Sequence, residues 1–191
     1  NDDLTGGDGD DTFLVTAGSD TIDDLFADGL AGLLAVENDV LVVSAGATVT
    51  ATTTEFVASA ATINNGTANL VGDDIDVSDA GGSNGFNLTG TSLASELAGS
   101  ARADVIVGGD GVDSVTGNGG ADSFRFLTTT STPLEVTQET TTPAEDWERI
   151  EVTGTGPFTA GTLTIPYTVN NGATLSTILV NVAAGDTDIV V

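Results

Sequence analysis

A period of nine residues constrains the fold of this chain more than any other feature of its sequence. Three consecutive nonapeptides run from Gly99 to Arg125, each with aspartate at its sixth place and an apolar residue at its eighth. The same register gives Gly6 to Leu14, a degenerate copy from Val15 to Asp23 and a half copy at the start. Because the chain begins inside a repeat, we expect it to be a fragment or processed form of a longer protein.

Each repeat combines a glycine-rich turn with a short strand. Glycine at the first, second and fourth places permits positive φ and close approach of backbone carbonyls. The strand that follows points its one apolar side chain inward, so successive apolar residues stack. They are Leu4, Phe13 and Ile22 in the first block, and Leu88, Leu97, Ile106, Val115 and Phe124 in the second. Two repeats therefore make one coil, and residues 18 apart lie above one another.

Stacked aspartates predict metal sites at the edges of these coils. Asp2 pairs with Asp20 and Asp104 with Asp122, and glycine-turn carbonyls complete an all-oxygen environment suited to Ca²⁺ rather than Mg²⁺. Asp11 and Asp113 lie on the opposite edge, where the residues one coil away are weak or missing ligands: Ser95 lies one coil before Asp113 and Ser131 one coil after. We expect these two sites to be incomplete or filled by other oxygens. The candidate metal-binding residues are Asp2, Gly7, Gly9, Asp11, Gly18, Asp20, Asp104, Gly109, Gly111, Asp113, Gly119 and Asp122. The alternative is that glycine and aspartate only form solvated turns.

The repeats GGDGDDTFL, GGDGVDSVT and GNGGADSFR resemble the calcium-binding RTX nonapeptide GGxGxDxUx. This resemblance covers about 60 residues in two blocks. It implies an all-β fold, a right-handed parallel β-roll with Ca²⁺ between its turns. It also implies type I secretion and folding outside the cell, with an export signal at the C-terminus. The final GDTDIVV is similar to such a signal, and an ordinary terminal strand is the alternative.

We divide the chain by composition. The first repeat block spans 1–23. A short helix at Leu25–Val36 and a β-rich insertion fill 24–62. A degenerate and then intact roll spans 63–126, a Thr/Pro-rich linker 127–146, and a C-terminal β cap with the possible export signal 147–191. Trp147 is interpreted as part of the cap, the alternative being a carbohydrate-stacking side chain.

Composition limits the function. The chain has 29 acidic residues against three arginines, for a formal net charge of −26. Such a chain lacks the basic clusters that nucleic-acid binding needs, and no apolar run is long enough to cross a membrane. Without His, Cys or Lys, the usual catalytic triads, thiol nucleophiles and histidine zinc sites are absent. Carboxylate pairs remain candidates for glycoside hydrolysis, but they lie without an aromatic platform in a chain with one Trp and one Tyr. We therefore expect no enzyme within these residues.

The sparse repeats in a Thr-rich, Cys-free, acidic chain are most like bacterial surface-layer proteins. We expect a secreted cell-surface protein that assembles with itself through calcium, with a cell-surface polysaccharide as a further candidate partner. Acidic residues outside the repeats, namely Asp73, Asp74 and Asp76, are candidates for ions between subunits. The alternative is the C-terminal calcium-binding and secretion module of an RTX adhesin or hydrolase whose active domain lies upstream.

Overall fold

The chain winds into a parallel β-solenoid. The structure is a computed structural model that describes residues 1–26, 38–109 and 113–127, and the backbone of five later strands. Every regular element in it is a strand: β1 Asp3–Leu4, β2 Thr12–Val15, β3 Ser19–Ile22, β4 Val40–Val43, β5 Thr48–Thr52, β6 Glu55–Val57, β7 Ile63–Asn64, β8 Thr67–Val71, β9 Asp74–Asp76, β10 Gly81–Gly82, β11 Asn87–Thr89, β12 Glu96–Ala98, β13 Val105–Val107, β14 Ser114–Thr116, β15 Ser123–Leu127, β16 Glu135–Gln138, β17 Arg149–Thr153, β18 Gly161–Thr168, β19 Leu175–Val182 and β20 Asp188–Val190.

Sheet A is the face shared by all coils, with strand order β1-β3-β5-β8-β11-β13-β15-β17-β20. Its pairs are parallel except the last, in which β20 runs antiparallel to β17. Sheet B has the order β10-β7-β4-β2 and sheet C the order β16-β14-β12-β9-β6. The prediction of an all-β parallel roll is confirmed.

The coils are of two kinds. The coils that contain β1 to β4, and those that contain β11 to β16, have two strands each, one in sheet A and one in a second sheet. The coils built from β5–β7 and from β8–β10 have three strands, one in each of the three sheets. We call these the two-strand and three-strand coils. The second face of the roll thus changes from sheet B to sheet C across the three-strand coils.

The core follows the register predicted from the repeats. Leu88, Ile106 and Phe124 stack in sheet A, and Leu97 stacks on Val115 in sheet C. All five side chains are buried. Short strands suffice because each inward side chain packs on the equivalent residue of the next coil. Phe13 and Ile22 are also buried, and Leu4 at the first strand is partly buried.

Strand pairing extends the roll beyond the predicted boundaries. β4, β5 and β6 lie in the segment 24–62 that composition set apart, yet each pairs in parallel with a strand of a neighbouring coil. β16 lies within the predicted linker and pairs with β14. The predicted helix falls almost wholly on residues 27–36, outside the described part of the chain, and Leu25 at its start is buried in the core.

The predicted C-terminal segment contributes backbone to the same sheet and to a separate pair. β17 extends sheet A in parallel with β15, while β18 and β19 form an antiparallel pair. The final residues, predicted as an export signal or as an ordinary strand, contain β20. Trp147, predicted as a cap residue, lies outside the described residues.

Candidate metal centre

The aspartate at the sixth place of each repeat folds back over the glycine at the first place. A Cβ atom at Gly108 would lie 2.5 Å from Oδ2 of Asp113, and one at Gly99 would lie 2.7 Å from Oδ2 of Asp104. Gly6 and Gly117 are covered in the same way by Asp11 and Asp122. These glycines are therefore required for space, because a side chain would displace the carboxylate.

Along one edge of the roll, each sixth-place aspartate accepts a backbone N–H from the coil before it. The N–H of Asp2 donates to Oδ1 of Asp20 at 2.9 Å, and the N–H of Asp104 donates to Oδ1 of Asp122 at 2.8 Å. The two pairs that the sequence predicted are thus stacked as expected. The carboxylates close the turns by receiving N–H groups that strand pairing leaves over.

In the three-strand coils, the same edge position holds apolar residues. The register places Val49 above Asp20, and Ala68 above Val49. Phe86 follows one coil later, and its N–H donates to Oδ1 of Asp104 at 2.5 Å. Val49, Ala68 and Phe86 are all buried. The predicted aspartate pairs thus lie on either side of an apolar stretch.

On the opposite edge, Asp11 has a partner that the sequence analysis missed. The N–H of Asp11 donates to Oδ1 of Asp39 at 3.0 Å, and the N–H of Phe26 donates to Oδ2 of Asp39 at 2.9 Å. Other oxygens thus lie beside Asp11, as one of the two predicted outcomes allowed, and they belong to Asp39, which the 18-residue interval did not identify. The two aspartates are 28 residues apart instead of 18, because the sequence between β3 and β4 is longer than in a regular coil and shifts the phase of the repeat. Asp39-Val40-Leu41-Val42 nevertheless keeps the aspartate and apolar spacing of a repeat, which is the signal that could have revealed it.

Asp113 follows the prediction more closely. One coil before it lies Ser95, whose N–H donates to Oδ1 of Asp113 at 3.0 Å. Both residues are buried. Ser131, the predicted position one coil later, lies outside the described residues.

The predicted turn glycines divide into three groups. Gly7, Gly9, Gly18 and Gly109 have positive φ between 88° and 110°. Gly119 does not, and the positive angles in its turn belong instead to Asn118 and Gly120. Gly111 lies outside the described residues. Positive φ thus occurs at second and fourth places where these hold glycine or Asn118, whereas Ser100 and Arg102 at the same places do not have it.

Burial strongly perturbs one of the aspartates. Desolvation raises the pKa of Asp104 from 3.8 to about 6, although hydrogen bonds from Phe86 and Ser100 act in the opposite direction. Oδ2 accepts the N–H of Ser100 at 2.7 Å, and the Ser100 hydroxyl lies 3.2 Å from Oδ1 and 3.1 Å from Oδ2. With the N–H of Phe86, these donors leave the carboxylate of Asp104 little capacity for a cation.

The carboxylate of Asp11 has more capacity to bind a cation. Its Oδ2 atom is buried and has no hydrogen-bond partner in the described part of the chain. A buried carboxylate oxygen without a donor is costly, and a cation would offset that cost. The turn from Gly6 to Asp11 also keeps glycine at the first, second and fourth places, whereas Ser100 and Arg102 replace two of them beside Asp104. The residues at the Asp11–Asp39 edge therefore fit Ca²⁺ better than those around Asp104.

More acidic residues lie beside this edge. The carboxylate of Asp24 accepts the N–H groups of Gly6 and Gly7 at 3.0 and 2.8 Å. Oδ1 of Asp10 accepts the N–H of Asn38 at 3.0 Å. Across the described residues, however, no three acidic side chains converge on one point. An ion here would take most of its ligands from backbone carbonyls.

In comparisons with known proteins, no family model, no curated protein and no solved structure matches the chain. The described residues also contain no helix with the length and apolar character needed to span a membrane.

Proposed function

We propose that this chain is a calcium-binding structural protein of the bacterial cell surface. The observation that carries the proposal is the stacking of Asp11 on Asp39 at an edge of a parallel roll, where Oδ2 of Asp11 is buried without a hydrogen-bond partner among the described residues; Asp2 and Asp20 are stacked in the same way on the other edge. Carboxylate oxygens and carbonyls in glycine turns are the ligands that Ca²⁺ prefers. We take the role to be structural rather than catalytic, because the sequence has no His, Cys or Lys for the usual catalytic triads and thiol nucleophiles.

The charge of the chain supports a requirement for cations. A formal net charge of −26 disfavours a compact state through self-repulsion. Parallel pairing adds to this repulsion in sheet C, where Glu55, Asp74 and Glu96 occupy directly neighbouring positions. Like charges at such positions destabilise a sheet. Bound Ca²⁺ stabilises the folded state by RT ln(1 + [L]/Kd), so calcium-rich surroundings outside the cell favour folding.

The row of acidic residues in sheet C, formed by Glu55, Asp74 and Glu96, supports assembly through calcium. Asp74 and Glu96 are exposed on the outer face of sheet C, where two copies of the chain could share a cation. Asp73 and Asp76 instead accept hydrogen bonds, from the Thr91 hydroxyl and the Ser78 N–H. We therefore propose that the ions between subunits bind at the exposed Asp74 and Glu96, rather than at all three aspartates named from the sequence. Secretion and a surface location belong to this proposal.

A calcium titration tests the proposal. EDTA-treated protein is titrated with Ca²⁺ while far-UV circular dichroism and light scattering are followed together. We expect β signal and scattering to rise together, because calcium folds the roll and then joins its copies. A rise in β signal without scattering would favour a solitary calcium-binding module of a larger adhesin or hydrolase. A response in neither signal would contradict calcium binding.

Paired variants identify the site. Asp11→Asn with Asp39→Asn should weaken calcium-induced folding at least tenfold in calcium concentration, because asparagine loses the charge at both positions and, at Asp39, one of the two oxygens that accept N–H groups. The control is Asp23→Asn with Asp79→Asn, which removes two charges from exposed side chains away from the stacked pairs. Equal effects of both double variants would show that net charge, rather than this edge, governs the response.

A further inference from the structure

A cavity forms where the three-strand coils end and the next two-strand coil begins. β10 is the terminal strand of sheet B, and the following coil has no strand to pair with it. This leaves a step bounded by the turn at Gly66, the turn at Ser83–Gly85 and the turn at Arg102–Ala103. The cavity at the step has a volume of about 390 Å³, which lies within the range of small-molecule sites.

Hydrogen bonds hold the walls of this cavity in place. Nε of Arg102 donates to the carbonyl oxygen of Gly82 at 3.0 Å, so the side chain covers part of the open edge of β10. Nδ2 of Asn84 donates to the carbonyl oxygen of Gly66 at 2.7 Å. Nδ2 of Asn87 donates to Oδ1 of Asn69 at 2.8 Å. Side chains fixed in this way lose little conformational entropy when a ligand binds.

The charge of the cavity is opposite to that of the chain. Its lining includes Arg102, one of three basic residues in the sequence, and none of the 29 acidic residues. The terminal nitrogens of Arg102 make no hydrogen bond within the described part of the chain. A guanidinium presents paired donors that match the geometry of a carboxylate. An anion at this step would therefore meet a donor rather than a carboxylate.

The rest of the lining is polar. Thr67 and Ser83 supply hydroxyl groups, and Asn84 and Asn87 supply amides, each of which can donate and accept. The lining contains no aromatic ring on which a flat ligand could stack. This combination suits a ligand that carries many hydroxyl groups together with one negative charge.

We propose that the cavity binds a carboxylate-bearing sugar, such as a hexuronate unit of an acidic polysaccharide. Arg102 binds the carboxylate, and the hydroxyl and amide side chains bind the ring hydroxyls. The site contains no sixth-place aspartate of a repeat, so its existence does not depend on the calcium proposal. It would give the chain a contact to an acidic saccharide.

Titrations followed by NMR test this site. Glucuronate, glucose and acetate are added separately to the folded full chain in about 0.15 M salt, which screens the general repulsion of anions. We expect glucuronate to shift the side-chain amide signals of Asn84 and Asn87 with an affinity at least tenfold above that of the other two. Equal binding of acetate would overturn the assignment to a sugar, and equal binding of glucose would overturn the role of the arginine. No shift with glucuronate would overturn the site itself.

Two variants separate binding from folding. Arg102→Gln should weaken glucuronate binding about tenfold, which is the usual loss for a charge-assisted hydrogen bond. Arg125→Gln removes the same charge from a residue that does not line the cavity and should leave binding unchanged. Thr67→Val removes a hydroxyl of the wall and should weaken binding two- to fivefold with circular dichroism unchanged. Equal losses in both arginine variants would contradict the site.

Discussion

The three-strand coils and the two-strand coils solve the same packing problem with different residues. In the three-strand coils the sixth-place position of sheet A holds Val49 and Ala68, followed by Phe86, which enlarge the apolar core. In the two-strand coils other than that of β11, which carries Phe86, this position holds Asp20, Asp104 and Asp122, whose carboxylates accept backbone N–H groups. One position in the repeat can thus be filled by hydrophobic burial or by a charged hydrogen-bond acceptor. The first needs no ion, whereas the second leaves buried charge that an ion can compensate.

The largest loss of stability is expected when a buried apolar residue at this position is truncated. Phe86 is 1% exposed, so Phe86→Ala should lower the free energy of unfolding by about 3–5 kcal/mol through lost burial and a cavity. Chemical denaturation with and without calcium checks this, and the loss should be the same in both conditions. Leu93→Ala is the control: its side chain is 63% exposed, so the change should stay within about 0.5 kcal/mol. A loss of stability in Phe86→Ala that is confined to one calcium condition would contradict the division between apolar and aspartate-filled positions.

Asp104 should make the calcium-free protein sensitive to pH. Because burial raises its folded-state pKa from 3.8 to about 6, the folded state holds a proton that the unfolded chain releases between these values. Stability should therefore fall as pH rises from about 4 to about 6, by up to about 3 kcal/mol for this group, and stay level above.

Comparison of Asp104→Asn with the parent chain isolates this contribution. Denaturation at several pH values should show a flatter profile for the variant, because asparagine does not titrate. Asp79→Asn, at an exposed site, should keep the slope of the parent chain. An unchanged slope in Asp104→Asn would show that other carboxylates carry the pH dependence.

The glycine beneath a sixth-place aspartate should be more sensitive than its neighbours. A Cβ at Gly117 would lie 2.9 Å from Cγ of Asp122 and 3.0 Å from Cζ of Phe124, so Gly117→Ala should cost about 1–3 kcal/mol through overpacking. Gly119→Ala in the same turn is the matched control, since the nearest atom to its Cβ is 3.6 Å away and its φ is not positive. Thermal denaturation should separate the two variants, and similar melting temperatures would contradict the proposed fit.

The smallest effect is expected at the exposed carboxylate of Asp24. Asp24→Ala removes the acceptor for the N–H groups of Gly6 and Gly7 and should cost about 1 kcal/mol, because water replaces part of the interaction. Asp23→Ala, one residue earlier on the exposed surface, should change stability by less than about 0.5 kcal/mol. Urea denaturation measures both, and equal losses would show that Asp24 acts only through its charge.

The sequence predicts the repeat register better than the cross-section of the roll. Leu88, Ile106 and Phe124 could be stacked from their spacing alone, because side chains at a fixed interval return to the same face. The third strand of the three-strand coils could not be predicted in this way, because β7 and β10 are only two residues long and β10 is Gly81-Gly82. Asp39 was missed for a related reason: the longer sequence between β3 and β4 breaks the interval that identifies the other aspartates. Both the third strand and the partner of Asp11 are set by strand pairing between coils, which the repeat interval in the sequence does not encode.

Regional hydrogen exchange tests the central claim that calcium acts at the aspartate-bearing coils. Amide exchange is measured by mass spectrometry in excess Ca²⁺ and again in excess EDTA, with peptides that cover β2, β4 and β8. We expect the protection of β2 and β4, which follow Asp11 and Asp39, to fall strongly on removal of calcium, while that of β8, which packs through Ala68 and Leu70, changes little. Equal protection of all three strands in both conditions would contradict the claim.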